Sequence, residues 1–243
     1  MTDIEKAAQP PTGGIGHEHR DVSGGWLRPT VFGMMDGLVS NFALIAGVAG
    51  AHASSSQVSL AGLAGLVGGA FSMSAGEYIS VQSQNEATHA ELELERHELR
   101  HNPEAELAEL TQMYVDKGVD RDVAAAVAQQ LHRDPDQALL IHAQEELGVD
   151  PQQLPSPWTA AGSSLASFSV GALIPLLPYL FGARSLVVSV VLAAVALFAA
   201  GAVSSRFTSR GAVFAGTRQL LIGVFAAAVT FGIGAIFHTT TAG

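Results

Sequence analysis

The chain has no cysteine in its 243 residues. That absence excludes disulfides, thiolate metal sites and cysteine nucleophiles together. Charge is also scarce: 14% of residues are Asp, Glu, Lys or Arg, against about 25% in ordinary soluble domains. The scarcity is uneven, because no Asp or Glu occurs in 159–243. A net charge of −10 argues against nucleic acid as a partner, since such binders need cations to displace phosphate counterions. Catalytic triads, phosphate loops and Cys/His zinc signatures are absent as well. The sequence therefore asks for no enzyme and no obligatory cofactor.

What is present is apolar. Hydrophobic residues make up 48% of the chain, and mean hydropathy is +0.31. Five stretches, 31–51, 59–81, 160–181, 185–205 and 216–237, reach the roughly 20 residues that a helix needs to cross hydrocarbon. They predict an all-α integral membrane protein with five transmembrane helices. Residues 1–30 are polar, carry Pro-Pro and Gly-Gly pairs and lack a signal-peptide core, so they read as a disordered cytoplasmic tail. With the N-terminus in the cytoplasm, eleven of the twelve Lys and Arg fall inside and only Arg184 falls outside, as the positive-inside rule asks. The C-terminus then faces out.

Only two acids lie within the spans, Asp36 and Glu77. A carboxylate at mid-bilayer costs about 2.5–3.5 kcal/mol on insertion scales, so such groups usually face a polar cavity or a partner. The plainer alternative is that each sits near an interface, with Glu77 snorkelling to it. Gly65, Gly69, Met73 and Glu77 are spaced by four and form one helix stripe, whose glycines allow close helix approach. On span 1, Asp36, Ser40 and Gly47 share roughly one face. Carboxylate oxygen with thioether sulfur suits a divalent first-row metal better than Ca²⁺ or Mg²⁺. Asp36, Met73 and Glu77 are therefore the candidate transport-pathway residues.

Residues 85–150 are of another kind. They hold sixteen of the 22 acids, five basic residues and five of the nine histidines. The pattern is helical over 82–101, continuing out of span 2, and over 104–117, 121–133 and 136–147. Breaks fall at Asn102-Pro103, Gly118 and Asp134-Pro135. Glu95 with Glu98 and Glu106 with Glu109 are i, i+3 pairs on either side of the Pro103 turn, and His142 with Glu146 adds an i, i+4 pair. Converging carboxylates repel unless a cation neutralises them, so these six are the candidate metal ligands of a cytoplasmic insert. A solvated acidic face is the plainer reading of any charge run. Glu86-x-x-His89 and Glu98-x-x-His101 also match the pattern of di-iron bundles, which keeps a ferroxidase as an alternative, although about 65 residues are short for one.

Several blocks, DGLVSNFALIAGVAGA (36–51), AGLAGLVGGAFSMSAGEYISVQSQ (61–84) and GALIPLLPYLF (171–181), together with the acidic insert, resemble the vacuolar iron transporter family in its bacterial and nodulin-like members. The resemblance spans about residues 30–238. It implies a five-helix homodimer that exports Fe²⁺, and often Mn²⁺, from the cytoplasm in exchange for protons, with the metal as substrate. Zn²⁺ and Co²⁺ are further candidates on ligand chemistry. Asp36 and Met73 match the family's first-helix aspartate and second-helix methionine. Glu95, Glu98, Glu106, Glu109 and Glu146 match its insert glutamates. There are two departures: Gly65 stands where the plant-type pattern has glutamate, and His142-Ala143 stand where methionines are expected. The membrane implied is a bacterial inner membrane or, alternatively, a vacuolar-type one. A membrane-anchored metal sensor is the second alternative reading of the insert.

Overall fold

The computed structural model describes residues 25–182, 185–207 and 210–241. Most of the expected N-terminal tail, and Arg184 of the orientation argument, lie outside the described residues. Among those described, the regular structure is helical. The elements are α1 (Leu27–Gly50), α2 (Ser55–His101), α3 (Pro103–Asp116), α4 (Arg121–Leu131), α5 (Pro135–Glu146), α6 (Pro157–Leu180), α7 (Leu186–Ser204) and α8 (Ala212–Thr241). Five of them, α1, α2, α6, α7 and α8, are long and apolar enough to cross a membrane.

The spans run past their apolar windows because caps and prolines, which hydropathy does not see, set the ends. Helix α1 begins at Leu27, so Leu27–Thr30 are helical and not part of a disordered tail. Pro29 falls in the first turn, where a missing N–H costs nothing, and the Thr30 hydroxyl donates to the Trp26 carbonyl at 2.7 Å. Ser54 and Gln57 form a capping box that starts α2 ahead of its apolar stretch. Pro103, Pro135 and Pro157 each open a helix. Gly118, at φ +94°, closes α3 in the left-handed conformation that glycine adopts without strain.

Helix α1 is the hub of the membrane part and packs on α2, α6, α7 and α8. Lipid offers no hydrophobic drive between helices, so close backbone contact does the work. A Cβ on Gly37 would strike the Phe168 carbonyl, and one on Gly171 would strike the Met34 carbonyl. Those two glycines seat α1 on α6. Helix α2 touches only α1 and α6 among the spans, which leaves Leu60, Val67 and Phe71 outward.

Helix α2 then continues without a break into the insert. Its exit is pinned to the start of α6 by Asn85, whose Nδ2 donates to the Pro155 carbonyl at 3.0 Å, and by the Tyr78–Trp158 ring pair. Beyond that point Leu92, Leu139 and Ala143 form a small core, flanked by Leu99. Leu110 is fully buried on α3. Lys117 and Glu145 pair across α3 and α5. Together these contacts make a compact bundle of α2's end with α3, α4 and α5.

Candidate functional site

Two arrangements carry chemistry, one in the membrane part and one in the insert. The first is a cavity of about 400 Å³ between α1, α2 and α6, lined by Asp36, Ser40, Asn41, Gly65, Met73 and Phe168 among others. Asp36 and Met73 both line it. Glu77 is not on its wall; it is buried one turn further along α2 at 9% exposure. Gly65 leaves the wall open, since even a Cβ there would lie 2.8 Å from Asn41 Oδ1 and 2.5 Å from Leu44 Cδ2.

Asn41 is a wall residue that the sequence reading passed over. It is 2% exposed, and its Nδ2 donates to the Ala172 carbonyl at 2.6 Å. That bond fixes the amide and turns Oδ1 toward Gly65, where it is buried with no hydrogen-bond donor. A carboxylate, an orphaned carbonyl oxygen, a hydroxyl and a thioether thus face one space. The signal was available, because Asn41 is the one amide in the first apolar stretch.

The second arrangement brings Glu95 of α2, Glu106 of α3, and His142 and Glu146 of α5 together, with one ligand atom from each inside a 4.8 Å sphere of mutual distance. His142 is fully buried. Its Nδ1 lies 2.7 Å from Glu146 Oε1, 3.0 Å from Glu95 Oε1 and 3.6 Å from Glu106 Oε2. One N–H cannot serve three carboxylates. It bonds Glu146, and Glu95 Oε1 is left buried without a hydrogen bond. Burial, and then the negative charges of Glu146, Glu106 and Glu109, push the Glu95 carboxyl up to about 7. Burial also raises Glu106. Three carboxylates and an imidazole with an orphaned oxygen fit a divalent first-row cation, which would neutralise them together.

Behind the cluster stands His132, another residue the sequence reading left aside, with its Nε2 3.0 Å from His142 Nε2. Burial, with His142 beside it, holds His132 below the usual histidine range. A neutral partner there can orient the His142 ring, as second-shell groups do for metal-binding histidines.

Glu98 and Glu109 stand apart from the four. Glu109 is exposed, because α3 buries Glu106, Leu110 and Thr111 and so turns its other face outward. Glu98 Oε2 accepts from Asn102 Nδ2 at 2.5 Å, and that bond holds its carboxyl below the usual range. Neither Glu-x-x-His pair of the di-iron pattern enters the cluster either; Glu86 accepts from Gln82 instead.

A model of the VIT family matches residues 27–235. The chain belongs to the VIT family. A vacuolar iron transporter of Acanthamoeba castellanii is 38% identical over 231 residues, covering 92% of this chain and 84% of that protein. Vacuolar iron transporter 2 of Oryza sativa is 33% identical over 219 residues, 89% of each chain, and one from Centaurea cyanus is 34% identical over 222 residues, again 89% of each. These VIT relatives are named as transporters, not as enzymes. The chain is thus a multi-pass membrane protein of a transporter family.

Proposed function

We propose that the protein exports Fe²⁺, and Mn²⁺ with it, from the cytoplasm in exchange for protons. One observation carries the reading: a single helix, α2, contributes both to a polar cavity among membrane spans and to a four-ligand cluster outside them. In this reading the insert lies in the cytoplasm and collects metal, and two copies of the chain line the path with Asp36, Asn41 and Met73. Glu77 is the carboxylate beyond that cavity on the insert side. It carries the counter-proton or receives the ion, since metal and proton compete for one carboxylate. The names of the relatives support iron as the cargo.

The test is flux into proteoliposomes holding a pH dye, with Fe²⁺ under anaerobic reducing conditions, then Mn²⁺ and Zn²⁺. Metal entry matched by proton exit is expected. Tight binding without flux would sink the transporter and favour the membrane-anchored sensor. The sensor has one observation of its own in its favour, the long separation between cluster and cavity along α2.

A further inference from the structure

The side of α1 away from the cavity carries a feature that the transport reading does not use. Helices α1 and α7 meet in a core of Leu38, Ala193 and Leu197. Beyond that contact lies a groove of about 410 Å³, walled by Trp26, Val31 and Met35 of α1 and by Ala199 and Val203 of α7 among others. The groove opens at the insert end of the membrane part. A Cβ on Gly25, just ahead of α1, would lie 2.9 Å from Pro155 Cβ, and Asn85 pins α2 to that same Pro155.

The walls offer water almost nothing to bond. Both hydroxyls that line the groove are satisfied within their own helices: Thr30 donates to the Trp26 carbonyl at 2.7 Å and Ser204 to the Gly201 carbonyl at 2.8 Å. Apolar cavities of this kind stay dry, so the groove asks for hydrocarbon.

Its mouth carries positive charge. Arg28 stands seven positions before Met35 and on the same face of α1. Arg206 follows Val203 by three positions, again on one face. Both arginines are exposed. Residues 22–35 and 159–243 contain no acid, and among the described residues the one arginine in an ion pair is Arg96. Trp26, at 45% exposure, adds a ring of the kind that settles at the level of lipid headgroups. The positive-inside rule alone accounts for arginines on this side, but not for a dry groove beside them.

We propose that the groove binds one anionic phospholipid of the insert-side leaflet, with an acyl chain along α1 and α7 and the phosphate held by Arg28 and Arg206. Basic pockets between membrane helices seat such headgroups, and guanidinium takes phosphate through paired hydrogen bonds. A second copy of the chain is the poorer occupant. The cavity that the transport reading closes with that copy is lined by Asp36, Ser40 and Leu44, on another face of α1 from Val31, Met34 and Leu38 of the groove. The bound lipid braces α1, the helix on which every other span packs. This inference goes beyond the transport reading and stands whichever ion the protein moves.

The test starts from full-length protein in vesicles of equal parts phosphatidylcholine and phosphatidylglycerol. The protein is re-extracted in mild detergent, and its retained lipid is identified by native mass spectrometry. One phosphatidylglycerol per chain is expected, favoured over phosphatidylcholine by about fivefold for each arginine. Arg28→Ala with Arg206→Ala should return the retained lipid to equal parts. Ala199→Phe, at an exposed wall position, should expel lipid of either kind with both arginines in place. Arg218→Ala, an exposed arginine of α8, should change nothing. Monodisperse elution of each variant shows that it is folded. Equal retention of the two lipids by the wild type would overturn the site, as would wild-type retention in the arginine pair or in Ala199→Phe. An equal loss in Arg218→Ala would overturn it too, since the attraction would then be diffuse surface charge.

Discussion

Glu77 and Glu95 lie on one unbroken helix, eighteen positions apart, which at 1.5 Å per residue sets them about 27 Å from each other. No side chain spans that distance, so an ion cannot pass by direct contact from the cluster to Glu77. In the transport reading the cluster acts by holding metal near the mouth of the path, where acidic groups raise the local cation concentration.

That relationship separates donor from sensor. With Glu95→Gln and Glu106→Gln together, a donor should show half-saturating Fe²⁺ raised by at least about tenfold, the scale of a lost metal-site interaction, with the maximal rate kept. Flux measured across a concentration series in proteoliposomes checks this. A rate lost at every Fe²⁺ concentration would assign the insert to regulation.

In the membrane, Asp36→Asn keeps the shape of the side chain and removes the one carboxylate of the cavity wall. Flux should fall to background while Mn²⁺ binding at the insert stays within about twofold, since well-separated sites act independently. Glu77→Gln should do the same to flux. Wild-type flux in either variant would remove that residue from the path.

The absence of cysteine makes the proposed dimer easy to test. Ser72 lines the cavity from α2 and is exposed in the single chain. If a second copy closes that face, Ser72→Cys should cross-link to dimers under mild oxidation in membranes, with no background from a chain that has no native thiol. Monomer alone after oxidation, with the thiol shown to be reactive, would place the partner elsewhere.

Much of this was legible in the sequence because apolar runs and prolines act locally. The five spans, the continuation of α2 beyond the membrane and the breaks at Asn102, Gly118 and Asp134 follow from hydropathy and turn chemistry. Which glutamates converge was not legible. Glu95 and Glu98 differ by three positions, yet Asn102 at the end of α2 takes Glu98 while α5 brings His142 to Glu95. Those choices depend on how α3 and α5 fold back, which no local spacing encodes. Asn41 was missed for a related reason: its role depends on the Ala172 carbonyl, 131 positions away.

The last prediction concerns pH. Glu95 is held up to about 7 by burial and by the surrounding acids, so near neutrality the empty cluster retains a proton that an incoming cation must displace. The groups that meet it are Glu106, Glu146 and His142, and the charge of Glu109 acts on it from the outer face of α3. A site with one competing proton near 7 binds about tenfold more weakly at pH 6 than at pH 8, as proton release on metal binding requires. Stability of the metal-free cluster runs the opposite way with pH. Between the ordinary carboxyl value near 4.5 and about 7, the folded state binds more protons than the unfolded one, so the metal-free cluster loses stability as pH rises. His132, held low, acts oppositely: its contribution is lost as pH falls below the ordinary histidine value of 6.5. Mn²⁺ affinity of the full-length protein at pH 6, 7 and 8 checks the balance, with Glu95→Gln as the comparison. Wild-type affinity should rise with pH, and the variant's should rise much less. An equal rise in both would show that the displaced proton belongs to another group of the cluster.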